Sequence, residues 1–307
     1  MERGIDISLL NRGISIRTPP DNVKLIKADI RNPSNVKSAI SKLDFDVVVD
    51  WIAYTEEHVR NDYELIKGKV EQFIFISSAS AYEKPPMILP ITESANLYNP
   101  YWQYSRDKIA CEKYLVDIFH EEGFPITIVR PSHTYDKTLI PIHGQYTAVN
   151  RMKKGKKVII HGDGTSLWTL THNSDFAKGF FGLLGKTDAI GESFHITSDE
   201  LLTWNQIYKA FADTLGIKTN FIHIPSNYIN IFDDEWGSSL LGDKAHSMIF
   251  NNKKIKAMVP DFQATTPFSS GVKRIVDWYE ADYSRQVIDT KLDHIMDLII
   301  DRFEASL

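Results

Sequence analysis

One cysteine in 307 residues, Cys111, cannot close an internal disulfide, so the fold must rest on its buried core, as suits a reducing compartment. No run comes near the roughly 18 consecutive apolar residues of a membrane-spanning helix. The opening "MERGIDISLLNRG" lacks the charged-then-apolar form of a signal peptide. Long blocks of like charge are missing too: the formal net charge is -5, and the most basic run, "RMKKGKKV" at 151–158, is short and leads straight into an apolar segment. That pattern does not indicate a nucleic-acid groove. No grouping of His, Cys, Asp and Glu has metal-site spacing. At 43% hydrophobic and 24% charged residues the composition is that of an ordinary globular protein. The expectation is a soluble, cytoplasmic protein with no metal or membrane partner, and with a nucleic-acid partner not favoured.

What the chain does have is alternation. "IDISLL" (5–10), "VKLIKAD" (23–29), "FDVVVDWIAY" (45–54), "QFIFISS" (72–78) and "PITIVRP" (125–131) read as strands. Several are near-continuous in Val, Ile and Phe, as strands covered on both faces must be. Helical patterns lie between them at 33–43, 56–69 and 104–123, with Pro33 suited to a helix start and Gly123 to a helix end. Strand and helix in this rhythm predict an α/β fold around a doubly wound parallel sheet. The second half is more mixed. It offers strands at 156–162 and 192–197 and helices at 172–185, 203–216, 268–282 and 292–307, with Asn173 or Ser174 as cap of the first of these helices. Residues 1–138 are expected to form the sheet domain, with 156–198 partly returning to it. Residues 139–155 and 199–307 are expected to form mainly a smaller C-terminal α/β domain for the substrate.

A glycine-rich turn is missing from the front. A dinucleotide-binding sheet opens with a strand, a Gly-rich turn and a helix N-terminus that receives the pyrophosphate. "ERGIDISLLNRG" instead reads as the end of a first helix followed by the second strand, with Met1 near that helix end. About the first 25 to 30 residues of a βαβ unit are then expected to be absent. In the strand order 3-2-1-4-5-6 the absent strand is the central one, between "IDISLL" and "FDVVVDW". "GDGTS" (162–166) has the wrong spacing to replace the turn and reads as a simple bend.

Five motifs stand in a telling order: "DVVVDWIAY", "FIFISSASAY", "YSRDK", "IVRPSHTYD" and "IHGDGTSLWTLTHNSDFAKG". Each alone is common. In this order they resemble the extended branch of the short-chain dehydrogenase/reductase superfamily, the NAD-dependent epimerase/dehydratase family. The resemblance runs from the second strand to "VDWYE" and implies a Rossmann-like sheet binding NAD or NADP. Tyr104 and Lys108, at i and i+4, share a helix face. A phenol of pKa about 10 is a poor base unless something stabilises its phenolate, and an ammonium one turn away can do so. The resemblance further implies that Lys108 bonds the nicotinamide ribose and that Ser78 holds the substrate oxygen, with Ser77 and Ser80 as near misses. Asp29 and Ile30 match the pair beside the adenine, Ala53 the small residue under the cofactor, and Pro131 the end of the next strand. Where relatives that prefer NAD carry an acid for the ribose, this chain has Asn11, and Arg12 could meet a 2′-phosphate. The choice between NAD and NADP stays open.

Three departures narrow the substrate. The Asp-Glu pair that performs elimination in the 4,6-dehydratases is replaced by Ala79 and Ser80, so dehydration by that route is not expected. The Arg that pairs with the diphosphate of nucleotide sugars is replaced by Trp168, which removes a strong charge-assisted contact. An expected Asn is replaced by His133, either a second acid/base, a phosphate-binding group or, as the favoured reading, a satisfied polar residue lining the cleft. The expected function is NAD(P)-dependent hydride transfer at a carbinol or carbonyl of a sugar or nucleotide-sugar-like substrate. Epimerisation comes first in the family's repertoire, and simple dehydrogenation or reduction next. Ser80, His133 and Trp168 are expected to meet the substrate together with Ser78. The alternative is a non-catalytic member that binds RNA or protein, since relatives with "NRG" at the second strand include plastid RNA-binding proteins, or a non-functional truncated form. A homodimer is possible on this reading.

Overall fold

The computed structural model of the chain describes residues 4–15 and 17–307. Met1, read as lying near a helix end, falls outside them. In chain order the first half holds β1 (Ser8–Asn11), β2 (Lys24–Lys27), α1 (Pro33–Ile40), β3 (Val47–Asp50), α2 (Glu56–Ile66), β4 (Gln72–Ile76), α3 (Gln103–Glu122) and β5 (Ile126–Pro131). Pro33 stands in the first turn of α1, where a missing N–H costs no bond, and Asn32 Oδ1 accepts from Asn35 N. Gly123 ends α3 in the left-handed region, φ 71°, which an L side chain rarely adopts. The strand read at 45–54 stops at Asp50, because that carboxylate turns back and accepts N–H bonds from Ile52 and Ala53.

The second half continues with β6 (His133–Tyr135), α4 (Tyr146–Lys153), β7 (Val158–His161), β8 (Leu167–Trp168), β9 (Leu170–His172), α5 (Asn173–Phe181), β10 (Ser193–Ile196), β11 (Leu202–Thr203), α6 (Trp204–Leu215) and β12 (Phe221–Ile224). Then come α7 (Ser226–Phe232), α8 (Asp234–Ser239), a π-helical turn (Leu240–Lys244), α9 (Lys253–Met258), α10 (Phe268–Glu280) and α11 (Thr290–Glu304). His172, rather than Asn173 or Ser174, caps α5: its Nδ1 accepts from Ser174 N, a bond an imidazole makes as well as an Asn side chain. Thr203 and Gln206 close a capping box at the start of α6, and Gly216 ends that helix.

The main sheet is parallel, in the order β10-β5-β4-β3. β4 is buried from end to end, and its alternate residues serve two cores. Phe73 and Phe75 pack with Tyr63 of α2 and Leu115 of α3 on one face. Ile74 and Ile76 pack with Phe176 of α5 and Ile255 of α9 on the other. Helices on both faces explain why QFIFI shows no polar alternation. β1 and β2 form a parallel pair of their own, and among the described residues no strand is hydrogen-bonded between β1 and β3. Leu10, Ala28 and Ile30 nonetheless pack on the core of α2 and α3, and the Arg31 guanidinium donates to the carbonyl of Ile52. β7 leaves the main sheet to pair with β12, whereas β10 returns to it beside β5. The pairs β6-β9, β8-β11 and β7-β12 support a second core built around Trp168, Trp204, Phe211 and Phe268.

Candidate active site

The site grows from the C-terminal ends of β3, β4 and β5 and from the first turns of α3. Ser77 turns into the core and donates to Glu112. Ser78, next in sequence, stays half-buried and caps a short 3-10 turn at Ala79–Ala81. Before α3, Asn99 Oδ1 accepts from Tyr101 N (3.2 Å) and Trp102 N (3.1 Å), which aims the helix at the end of β4. Ser105, Lys108, Cys111, Glu112, Leu115 and Ile118 then form one buried stripe. Helical spacing puts polar residues at the sheet edge and apolar ones deeper in the core.

The structure brings Tyr104, Ser78 and Lys108 together. The Ser78 hydroxyl acts on the Tyr104 phenol, favouring its ionised form. Lys108 Nζ donates to Ala53 O at 2.6 Å and to Ile76 O at 2.8 Å, and lies 5.9 Å from the centre of the Tyr104 ring. Ser80 Oγ sits 2.9 Å from Ser78 Oγ and accepts from Ser105 Oγ at 2.8 Å. Of the three serines read from the sequence, Ser78 faces the phenol, Ser80 backs it, and Ser77 is committed to Glu112. Burial pushes the Tyr104 phenol up to about 12, against the opposing effect of the Ser78 hydroxyl, and pulls the Lys108 ammonium down to about 8. Both shifts have one cause, the exclusion of water, so any added positive charge here acts strongly on the phenol.

The residues read as holding a dinucleotide lie at or after the C-terminal ends of β1, β2, β3 and β5, in two separate sheets. Asn11 ends β1, where its Oδ1 accepts from Gly13 N, and Arg12 beside it is exposed. Asp29 follows β2 and accepts from Arg31 N, with Ile30 packed beneath. Ala53 is fully buried against Lys108, and Pro131 closes β5. With two of its three protons on backbone carbonyls, Lys108 keeps one for a ligand hydroxyl. The donor set therefore suits the nicotinamide-ribose end of such a cofactor. For the pyrophosphate, no Gly-rich turn leads a strand into a helix at these strand ends among the described residues.

Beside Tyr104 a cavity of about 740 Å³ opens toward the second core. Trp102 forms the boundary, its ring 4.8 Å from that of Tyr104 and its indole N–H donating to Glu235 Oε1 at 3.2 Å. His133 lines the cavity, and its Nδ1 accepts from Trp168 Nε1 at 3.2 Å. Burial holds the His133 imidazole neutral, down to about 3, which does not suit a proton donor near pH 7. Trp168 itself is 2% exposed and stands behind His133 in the core, away from the cavity lining. "GDGTS" is a turn: Gly162 and Gly164 have φ 60° and 71°, and Asp163 Oδ1 accepts from Thr165. The sequence reading passed over Trp102, His143, Glu235, Trp236 and Lys244 of this cavity. His143 and Trp236 stack with ring centres 3.8 Å apart, a partnership of loop and short helix that no periodicity announces. Among the described residues there is no cluster able to hold a metal ion, and no helix is long and apolar enough to cross a membrane.

Comparison with known proteins places this geometry. The sequence model of the NAD dependent epimerase/dehydratase family matches residues 63–197. The chloroplast stem-loop binding protein of 41 kDa b from Arabidopsis thaliana is 24% identical over 277 residues, covering 90% of this chain and 68% of that protein. A dTDP-D-glucose 4,6-dehydratase of Bos taurus is 21% identical over 279 residues, 85% of this chain and 75% of the relative. Among solved structures, an epimerase of Methanothermobacter thermautotrophicus superposes with a TM-score of 0.77 at 16% identity, covering 93% of this chain and 88% of the other. The dTDP-glucose 4,6-dehydratase of Bacillus anthracis, solved in complex with NAD, gives 0.72 at 19% identity, with 86% and 82% covered.

Proposed function

We propose that this chain, which belongs to the NAD dependent epimerase/dehydratase family, transfers a hydride between a nicotinamide cofactor and a carbinol or carbonyl carbon of a sugar-type substrate, with Tyr104 as the acid/base. The observation that carries the reading is the meeting of the Ser78 hydroxyl, the Tyr104 phenol and the Lys108 ammonium at the sheet edge. When bound, the cofactor supplies the hydride acceptor or donor and a positive charge. Ser78 orients the substrate oxygen through its hydroxyl. Tyr104 takes that oxygen's proton, or returns it, at its phenolic oxygen. Lys108, anchored on the Ala53 and Ile76 carbonyls, keeps the phenolate accessible and offers its remaining proton to the ribose. NAD is the cofactor this reading favours, because the dehydratase from Bacillus anthracis carries it, while the exposed Arg12 keeps NADP in the comparison to be measured.

Epimerisation or simple oxidoreduction fits better than dehydration, since Ala79 and Ser80 offer no carboxyl beside the phenol. The carboxylate acting on Tyr104 from outside its own helix, Asp243, is already paired with Lys84 at 3.4 Å. The test is Tyr104→Phe, with hydride transfer followed by NADH fluorescence over a panel of hexoses, alkyl glycosides and sugar nucleotides. Turnover should fall at least about a hundredfold, the usual worth of a positioned acid/base, while NADH binding changes little; unchanged turnover removes Tyr104 from the role. A second reading, RNA binding without catalysis, is favoured by the name of the chloroplast relative. A stem-loop RNA retained in a gel shift at physiological salt, unaffected by Tyr104→Phe, is the result that supports it.

A further inference from the structure

We propose that the cavity beside Tyr104 selects a polyhydroxylated substrate without a phosphate, such as a free sugar or a glycoside, and rejects nucleoside-diphosphate sugars. The inference rests on the hydride-transfer reading for its location and deepens it. Among the described residues three carboxylates, Asp233, Glu235 and Asp289, line the cavity, and the single lysine or arginine on its wall is Lys244. Each carboxylate spends one oxygen on a protein donor: Asp233 on Trp236 N, Glu235 on Trp102 Nε1, Asp289 on Leu292 N. Among the described residues the second oxygen of each accepts no hydrogen bond, and these oxygens are acceptors for hydroxyl groups.

The one cation is poorly placed for a diphosphate. Lys244 Nζ lies 4.9 Å above the Trp102 ring and 3.5 Å from Ser239 O. Burial lowers its affinity for a proton, so even that charge is weakened. The imidazoles on the wall do not replace it, since burial holds His143 and His161 neutral, each down to about 4. A diphosphate brought here would meet more negative than positive charge, from a half-buried Asp233 and from Glu235 and Asp289 at the exposed rim. Trp102 and Trp236, the latter stacked on His143, add apolar wall of the kind the C–H side of a pyranose ring packs against. A volume of about 740 Å³ has ample room for one or two sugar rings.

The experiment compares ligands that share one hexose and differ only at the anomeric position: the methyl glycoside, the 1-phosphate and the UDP derivative. Glucose, galactose and mannose provide three series. Binding to the full chain is read from tryptophan fluorescence, because Trp102, Trp204 and Trp236 line the cavity. In the best series the glycoside should bind at least about tenfold more tightly than the UDP derivative, a difference of about 1.4 kcal/mol. Glu235→Gln and Asp233→Asn retain an amide oxygen for the Trp102 and Trp236 donors, and should narrow that gap severalfold. Tighter binding of a UDP-hexose than of its methyl glycoside overturns the proposal, as does the absence of a fluorescence change with every glycoside. Because no turnover is read, these results stand apart from the test of Tyr104.

Discussion

Glu112 and Arg130 lie under the sheet edge that carries Ser78, with side chains 3% and 7% exposed, and removing one of them is the most informative test of the packing there. Arg130 Nε lies 3.0 and 3.1 Å from the two carboxylate oxygens of Glu112, and Nη2 lies 2.6 Å from Oε2. Arg130 Nη1 donates further to Tyr82 Oη at 3.3 Å and to Glu93 O at 3.0 Å. Glu112→Ala strands a buried guanidinium on two neutral acceptors, a loss of about 3 to 5 kcal/mol. It also takes the acceptor from Ser77, about 1 kcal/mol more. Set against a typical domain stability of about 5 to 15 kcal/mol, that leaves the protein folded but with a much lower urea midpoint. Replacing both partners by apolar side chains, Glu112→Leu with Arg130→Met, removes the stranded charge and should return stability to within about 1 kcal/mol of the original. Urea unfolding of the original, of Glu112→Leu and Arg130→Met alone, and of the double variant, followed by fluorescence and circular dichroism, closes the cycle. A double variant as unstable as the sum of the two singles would refute the coupling. Ser77 precedes Ser78 and Glu112 lies one turn beyond Lys108, so Glu112→Ala should lower turnover as well.

Three further outcomes are expected. Trp168→Arg, which restores the family's guanidinium, should fail to improve UDP binding and should cost about 3 kcal/mol or more, because position 168 is buried in the core; a thermal melt together with UDP titration checks both. Gly271→Ala in α10 places a methyl 2.2 Å from the Tyr135 hydroxyl, so the strain of about 1 to 3 kcal/mol should outweigh the roughly 1 kcal/mol gained in helix propensity, and a raised melting temperature would contradict it. Among the described residues the buried oxygens Asp50 Oδ2 and Asp62 Oδ2 have no hydrogen-bond partner, and burial, then Asp50 itself, raises the Asp62 pKa far above the carboxylate range. The unfolded chain therefore releases this proton first, and stability falls as pH rises from about 3.8 upward. Asp62→Asn stays neutral, so its lead in melting temperature over the original protein should widen with pH; a constant lead would mean that Asp62 is ionised in the fold.

The sequence by itself was enough for the alternation of strands and helices from 47 to 131, and for Tyr104 and Lys108 on one helix face. Those features are local: buried strands such as QFIFI carry continuous apolar residues, and i, i+4 spacing holds wherever the helix sits. Ser78 could be named from its motif, but its separation from Ser77 needed the fold, since only Glu112, 35 residues away from Ser77, shows which hydroxyl is already committed. The short strands β6, β8, β9 and β11 have two or three residues each, too few for a period to register. Trp168 reads in sequence as a substitution in a ligand motif, yet its ring ends in the core behind His133. The cavity was least visible of all. Its wall is assembled from Trp102 at the N-cap of α3, His143 in a loop, Glu235 and Trp236 on α8 and Lys244 at the π-helical turn. No spacing links residues that far apart in the chain; the packing of the second core against α3 is what brings their charges into one space.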